Sequence, residues 1–347
     1  MKSETTGAVL VFSYGCYLLS FQNLGPVLVN FANAEGVDVF WLVNWIYVSH
    51  IAGIAFSAAL LDRVVRRMEL IKIMMVVLVL TVLAAAVDVR AAIVSGFLAG
   101  IIVVASGSFL ARHVVPWNRG KVFAIGASLA NFYYFLFLSG ERLGHLVLLS
   151  TLPLLLVLLL PRFDFAYRSA HVNRDFVFYT VPVFTFYLLG GIMYGVMEPV
   201  FRENGISVHV LFYAFAILVA GYLYDRFGRK LTSIFGILFL TASFIMFPVY
   251  LQPSAYLIQL SYAFIDVFAM IIWADLSNFG SEARQYGLGM IIIASSIFFG
   301  FMLSRHVGYP VNTALSAILL TLSAFLIGTL REPLTSPEDY VRWLGRR

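Results

Sequence analysis

Asp266 is the residue of this sequence whose type and surroundings most clearly suggest chemistry. It lies in the apolar run YAFIDVFAM, with Tyr262 one helical turn before it and Trp273 two turns after it on a similar face. An ionisable side chain in such a run is costly to bury and is therefore a candidate for function. Burial favours the neutral carboxylic acid, so Asp266 could carry a proton or contact a substrate. The alternative is an aspartate that joins neighbouring helices by a hydrogen bond.

Further polar residues lie at depth in apolar runs and are candidates for contact with a substrate. The histidine among them could titrate near neutral pH, although a neutral, packed imidazole is the alternative. Each residue could equally make a hydrogen bond between helices. They are Gln22, Asn23, Asn44, His50 and Asn131.

A second stretch, GYLYDRFGRK, places glycines, an acid and several bases between two apolar runs. Gly221 would let a neighbouring helix approach closely, and Gly228 supplies a turn conformation that other residues resist. Asp225 is an acceptor for a helix N-terminus or for the adjacent arginines. A generic basic loop at a membrane edge would need the positive charges but not this order. The bases are Arg226, Arg229 and Lys230.

The same pattern recurs in weaker form earlier in the chain, as AALLDRVVRR. Aligning Asp62 with Asp225 predicts an internal repeat, and we call the separation of these two positions the repeat offset. On this alignment Arg63 matches Arg226, Arg66 and Arg67 match Arg229 and Lys230, Ala58 replaces Gly221, and Val65 replaces Gly228. A second correspondence pairs Arg119 with Arg284, whose separation is close to the repeat offset.

The composition indicates a polytopic membrane protein. Hydrophobic residues make up 61% of the 347 residues and charged residues only 12%, against roughly 25% charged in soluble proteins. The basic residues that give a net charge of +5 lie in short loops, which argues against nucleic-acid binding. The single cysteine, Cys16, permits no internal disulfide and no metal cluster. No nucleotide-binding loop, paired metal-binding histidines or nucleophile elbow is present, so we expect no enzyme, catalytic residue, cofactor or metal.

Apolar runs of about 20 residues predict twelve membrane-spanning helices. The longest interior connection divides the chain into an N-terminal six-helix bundle (1–161), a central cytoplasmic loop (162–176), a C-terminal six-helix bundle (177–331) and a cytoplasmic tail (332–347). The spans are 7–31, 38–61, 71–89, 91–115, 122–139, 144–160, 177–200, 207–224, 230–250, 254–278, 287–306 and 311–330.

The distribution of Lys and Arg predicts that both termini are cytoplasmic. With the N-terminus inside, nearly all of the 23 basic residues fall in inner loops, as membrane proteins prefer. We therefore expect a multi-pass protein of the plasma membrane, in contact with the lipid bilayer. The exceptions are Arg90, Arg142, Arg202 and Arg305.

These features together resemble the major facilitator superfamily of transporters. GYLYDRFGRK is similar to the superfamily's signature Gly-x-x-x-Asp-Arg-x-Gly-Arg-Lys/Arg, and GPVLVNFANAEGVD and the Pro-x-x-Arg-Gly loop also resemble family segments. The layout matches over essentially the whole chain. The chain departs in its degenerate first-half signature, in Gly96 where many proton-driven members carry arginine, and in the absence of a Gly-Pro pair from 126 to 140.

The resemblance implies two pseudo-symmetric six-helix bundles that rock to expose a midplane site to either side. The implied cargo is a small-molecule solute, coupled to a proton through Asp266 or uncoupled, and a monomer is sufficient. The alternative is a transporter-like receptor or assembly subunit that binds a ligand without moving it. The resemblance assigns gating to Gly221, Asp225, Arg226, Gly228, Arg229 and Lys230, with Asp62, Arg63 and Arg66 as the pseudo-symmetric partners.

Overall fold

The computed structural model describes an all-helical chain. It describes residues 2–22, 25–138, 143–165, 175–206, 209–277, 281–304, 306, 308–330 and 332. Within these ranges there are thirteen α-helices and no strand. The helices are α1 (Lys2–Tyr17), α2 (Pro26–Glu35), α3 (Val39–Leu60), α4 (Arg67–Ala84), α5 (Ala91–His113), α6 (Arg119–Tyr133), α7 (Leu143–Leu155), α8 (Phe176–Glu203), α9 (His209–Phe227), α10 (Arg229–Met246), α11 (Leu251–Leu276), α12 (Glu282–Leu303) and α13 (Tyr309–Thr329).

Each predicted span coincides with helical structure, and six helices of the described chain are long and apolar enough to cross a membrane. Membrane crossing by the others stays a prediction. The predicted first span, 7–31, is not one helix. A π-helical turn, Leu18–Gln22, follows α1, and α2 begins anew at Pro26. Proline has no N–H for the preceding turn, so the helix restarts there.

The described chain divides into two compact units, and neither coincides with one half of the sequence. The first unit contains 1–114, 125–172 and 277–291, and the second contains 115–124, 173–276 and 292–347. Each sequence half thus supplies a short segment to the unit formed mainly by the other half. The domain boundaries derived from the sequence stay a prediction.

Helix α5 forms the centre of the first unit. Every residue from Leu98 to Ala111 is buried. Glycines allow α3 and α5 to cross closely, because a Cβ at Gly96 would lie 2.6 Å from the carbonyl oxygen of Ile46. A side chain at position 96 would therefore collide with the backbone of α3, which fills this space.

Helix α11 is the enclosed helix of the second unit, and it packs against α8, α9 and α10. Its buried positions include a continuous run from Ser261 to Ile265. Serine hydroxyls tie it to α10, since Ser261 Oγ donates to the carbonyl oxygen of Gly236 at 2.7 Å. Asp266 follows directly on this buried run.

Candidate functional site

Asp225 caps the N-terminus of helix α6. One carboxylate oxygen accepts the backbone N–H of Gly120 at 2.9 Å, and the other accepts that of Lys121 at 2.8 Å. The first N–H groups of a helix have no partner within it, and the helix dipole favours negative charge at that end. Asp225 supplies both an acceptor and a charge at this position.

Asp62 caps helix α12 in the same way. Its two oxygens accept the backbone N–H groups of Ala283 at 3.0 Å and Arg284 at 2.9 Å. Ala283 and Arg284 follow Gly120 and Lys121 by the repeat offset, the same separation as that of Asp62 and Asp225. The offset therefore relates both partners of each contact.

This geometry changes one detail of the repeat read from the sequence. Arg284 corresponds to Lys121 rather than to Arg119, and the counterpart of Arg119 is Glu282. The sequence comparison matched two arginines because they share a charge. The contacts instead fix the register through backbone N–H groups, which carry no residue identity.

A close helix crossing accompanies each cap. A Cβ at Gly221 would overlap the side chain of Ala124 on α6, and a Cβ at Gly287 on α12 would overlap Ala58. Ala124 and Gly287 are related by the repeat offset, as are Ala58 and Gly221. The glycine missing from the first-half signature is thus present on the opposite helix of the same crossing.

The two signature loops, 221–230 and its first-half counterpart 58–67, turn differently because only the first has a glycine at the turn. Gly228 has φ +102°, a conformation that is costly for other residues, and α10 begins at the next position. In the first half, Val65 stands in its place, and α4 begins only at Arg67, later than the alignment predicts. The longer turn leaves Arg66 exposed and buries Arg67.

Asp275 is the shared acceptor of two buried arginines in the second unit. Its carboxylate, which is fully buried, accepts hydrogen bonds from Arg119 Nη1, Arg229 Nε and the hydroxyl of Tyr224, each at 2.8 Å. Arg229 also donates to the carbonyl oxygen of Pro116 at 2.9 Å. The cluster joins α9, α10 and α11 to the segment 115–124.

Glu282 is the acid of the corresponding cluster in the first unit, where acid and base stand at exchanged positions. Its carboxylate pairs with Arg112 Nη1 at 3.2 Å and lies 4.0 Å from Arg67 Nη1. Arg67 also donates to Asp62 at 3.0 Å. The repeat offset relates Arg112 to Asp275 and Glu282 to Arg119, so the acid and the base of this pair are interchanged between the halves.

Phe165 of the central loop contacts this cluster of the first unit. The N–H of Phe165 donates to the carbonyl oxygen of Val65 at 3.0 Å, and the guanidinium of Arg67 lies 4.6 Å from the centre of the Phe165 ring. Burial lowers the pKa of Arg67, while Asp62 and Glu282 act in the opposite direction. Burial also raises the pKa of Asp225 to about 6, against the effect of its two backbone hydrogen bonds.

The remaining signature bases are at the surface. Arg63, Arg66 and Arg226 are exposed. The guanidinium of Arg66 lies 4.0 Å from the carboxylate of Glu69. Lys230 is partly buried. Its backbone N–H and that of Arg229 donate to the two carboxylate oxygens of Glu332, at 2.8 and 3.0 Å, so Glu332 caps α10.

Asp266 lies among tyrosines in the second unit. Its two oxygens accept hydrogen bonds from the hydroxyls of Tyr187 on α8, at 2.6 Å, and Tyr213 on α9, at 2.7 Å. Tyr262 lies one helical turn before Asp266 and is buried. Trp273 is fully buried and packs against Phe176, with ring centres 5.0 Å apart.

The polar candidates of the first half are placed separately. His50 is buried, with Nδ1 3.2 Å from the carbonyl oxygen of Gly96, and Asn131 donates to Ala127 on its own helix at 2.9 Å. Gln22 is buried in the π-helical turn, and Asn44 is partly buried. Neither side-chain oxygen has a hydrogen-bond partner in the described chain. Asn23 lies outside the described residues.

Several residues of these clusters are absent from the site residues predicted from the sequence. Tyr187 and Tyr213 carry no motif, and only their aromatic character within apolar helices indicates them. Arg112, Asp275 and Glu282 could have been found by applying the repeat offset to charged residues of either sign.

Comparison with known structures finds chains that share this fold. The proton:xylose symporter XylE, bound to a bromo-deoxyglucose, superposes with a TM-score of 0.71 at 14% identity, covering 99% of this chain and 97% of that one. The human organic anion transporter MFSD10 gives 0.66 at 14% identity, covering 94% and 98%. A bacterial homologue of the iron transporter ferroportin gives 0.65 at 14% identity over the same shares.

No protein-family model matches the sequence, and no curated protein is significantly similar to it. At 14% identity the structural likeness concerns the fold. It extends over nearly the whole length of both chains in each comparison. This chain therefore has the fold of the major facilitator superfamily.

Proposed function

We propose that this protein is a secondary transporter that moves a small solute across the membrane by alternating access. The observation that carries the proposal is the pair of helix caps at Asp62 and Asp225. Each cap joins a signature loop of one sequence half to a helix of the other half through two hydrogen bonds. In transporters built from repeats, one half rocks against the other, and we propose that these paired contacts form and break during that motion.

The shared fold supports transport but leaves the cargo open. The similar structures are those of a xylose symporter, an organic anion transporter and an iron transporter homologue, and these cargoes have little chemistry in common. The cargo of this chain must therefore be sought in its own buried polar groups.

We propose that Asp266 couples solute transport to a proton. It lies about 15 Å along α11 from the end of the helix at Leu276, half the thickness of the hydrocarbon core. A negative charge at that depth is costly, so binding a cation there is favourable. The simplest such cation is a proton. The proposal places the protein in the plasma membrane with both termini in the cytoplasm.

The first experiment tests the caps without knowledge of the cargo. Ala283 is fully buried and donates its N–H to Asp62. A cysteine at this position, in a Cys16→Ser background, should react slowly with a water-soluble maleimide. Adding Asp62→Asn should raise the labelling rate about tenfold, because weakening the cap by about 1.4 kcal/mol opens it more often. A cysteine at exposed Arg63 is the control and should react equally fast in both backgrounds.

The second experiment tests transport itself. Purified protein in proteoliposomes loaded with a metabolite mixture is assayed for accelerated uptake of labelled solutes, with Asp225→Asn alongside. Counterflow that Asp225→Asn reduces supports the proposal. Solute binding with no counterflow, together with a labelling rate that Asp62→Asn leaves unchanged, would establish the receptor alternative.

A further inference from the structure

We propose that the cargo bound at Asp266 is an organic cation, a protonated amine. That the bound ion is a cargo rests on the proposed transport function. The binding site itself lies within the second unit. The site consists of Asp266, Tyr187, Tyr213 and Tyr262, from helices α8, α9 and α11. We call it the Asp266 site.

The carboxylate is held in place by donors on both sides. Tyr187 donates to Oδ1 at 2.6 Å and Tyr213 donates to Oδ2 at 2.7 Å. Both distances lie within the ordinary range of O–H···O hydrogen bonds. Because the two phenols come from different helices, the carboxylate is fixed in position before any ligand arrives.

Among the described side chains, no positive charge pairs with Asp266. In the described part of the chain, neither Lys, Arg nor His forms an ion pair or hydrogen bond with Asp266. The described basic side chains of the helices packed on α11 lie at helix ends, as Arg226, Arg229 and Lys230 do. An ionised carboxylate in an apolar environment is costly unless a cation compensates it.

The carboxylate retains capacity for further donors. Two oxygens offer about four lone-pair positions, and the phenols occupy two of them. Asp266 also keeps partial exposure, in contrast to the buried residues before it. An ammonium group can therefore approach and donate N–H bonds without displacing either tyrosine.

The surroundings suit the organic part of such a ligand. A Cβ at Gly190 would lie 2.5 Å from the hydroxyl of Tyr262, so the absence of a side chain on α8 makes room for this ring beside Tyr187. Three phenol rings near one carboxylate are suited to an alkyl- or arylammonium ion, which aromatic rings also attract.

Other classes of ligand fit less well. A neutral polyol would leave the negative charge uncompensated, and an anion would be repelled by it. The arrangement therefore favours a ligand that brings both positive charge and N–H donors.

The test compares charged and neutral probes of the same shape. Phenethylammonium and n-butylammonium are paired with 2-phenylethanol and n-butanol, and binding to the detergent-purified full chain is measured by calorimetry and thermal shift. We expect at least one amine to bind at least about tenfold more tightly than its alcohol. Asp266→Asn should abolish that preference, Asp266→Glu should retain part of it, and Tyr213→Phe should weaken amine binding several-fold.

Matched controls separate this site from the rest of the surface. Asp88→Asn removes an exposed carboxylate, and Tyr222→Phe removes an exposed phenol from the same helix as Tyr213. Both should leave amine binding unchanged. Equal binding of amines and alcohols, failure of both amines to bind, or full binding to Asp266→Asn would each overturn the proposal.

The outcomes also distinguish this inference from the transport function. Amine binding that requires Asp266 without amine counterflow would support the site and contradict transport. Cap opening and counterflow of a neutral or anionic solute, with no amine binding, would support transport and overturn the cation site.

Discussion

Asp62 and Asp225 are separated by the repeat offset, and the backbone N–H groups that they bind are separated by the same offset. The repeat is therefore a repeat of contacts and not only of sequence. In both places a carboxylate at the end of one helix or in the turn that follows it caps the start of another helix, which belongs to the opposite sequence half. The first-half signature looks degenerate in sequence, yet it makes the same two hydrogen bonds.

Removal of either cap should lower stability by similar amounts. Asp62→Ala and Asp225→Ala should each cost about 1–2 kcal/mol, because two helix N–H groups lose their acceptor and the dipole loses a charge. Thermal unfolding of the purified protein measures the loss. Asp88→Ala serves as the control, because it removes an exposed carboxylate that accepts the backbone N–H of nearby Arg90. A loss confined to Asp225→Ala would show that the first-half loop no longer holds its helix.

The pH dependence of stability should report on Asp225. Its pKa is raised to about 6 by burial, above the value of about 3.9 for an exposed aspartate. The folded carboxyl holds its proton more tightly, so its contribution to stability is complete below about pH 4 and is lost as the pH rises through about 6. The melting temperature of the wild type minus that of Asp225→Asn should therefore fall by a few degrees between about pH 5 and 7. A constant difference would contradict the assigned direction.

At the crossing of α6 and α9, substitution of Gly221 should be tolerated better together with substitution of Ala124 than alone. Gly221→Ala adds a methyl group against Ala124 and should cost about 1–3 kcal/mol. Combining it with Ala124→Gly recreates the arrangement of Ala58 and Gly287 in the first unit and should recover part of the loss, because the added methyl would still lie 2.6 Å from the carbonyl oxygen of Gly120. A double-mutant cycle by thermal unfolding measures the coupling. Additive losses would mean that the two positions do not share one contact.

The buried carboxylate of Asp275 should be far more sensitive than a surface acid. Asp275→Asn leaves Arg119 and Arg229 without their shared partner and should cost about 3–5 kcal/mol. Glu69→Gln, which removes a partly exposed carboxylate near Arg66 and Arg162, should cost less than about 1 kcal/mol. Similar losses in unfolding experiments would indicate that Asp275 is not the centre of its cluster.

A large part of this arrangement was accessible from sequence. Apolar runs predicted the positions of the helices because burial in lipid demands long uninterrupted spans. The order of glycine, acid and bases around Asp225 identified the signature loop, and the offset identified Asp62 as its counterpart.

Other features were beyond sequence reasoning for physical reasons. The alignment predicted Arg66 as the counterpart of Arg229, whereas Arg67 is the buried arginine, because Val65 cannot adopt the turn that Gly228 provides. The phenols that hold Asp266 come from helices distant from it along the chain. Helical periodicity indicates which residues share a face of one helix, but not which face of another helix it meets.

Acid and base are interchanged between the pairs Arg112–Glu282 and Asp275–Arg119. Each half of the chain therefore supplies the opposite charge that the other half needs. A protein assembled from two copies of the first half would bring Arg112 against a second Arg119, with no acid in either pair. Two copies of the second half would bring Asp275 against a second Glu282. Like charges at such short distance cost several kcal/mol. Each half can therefore assemble with the other half but not with a copy of itself.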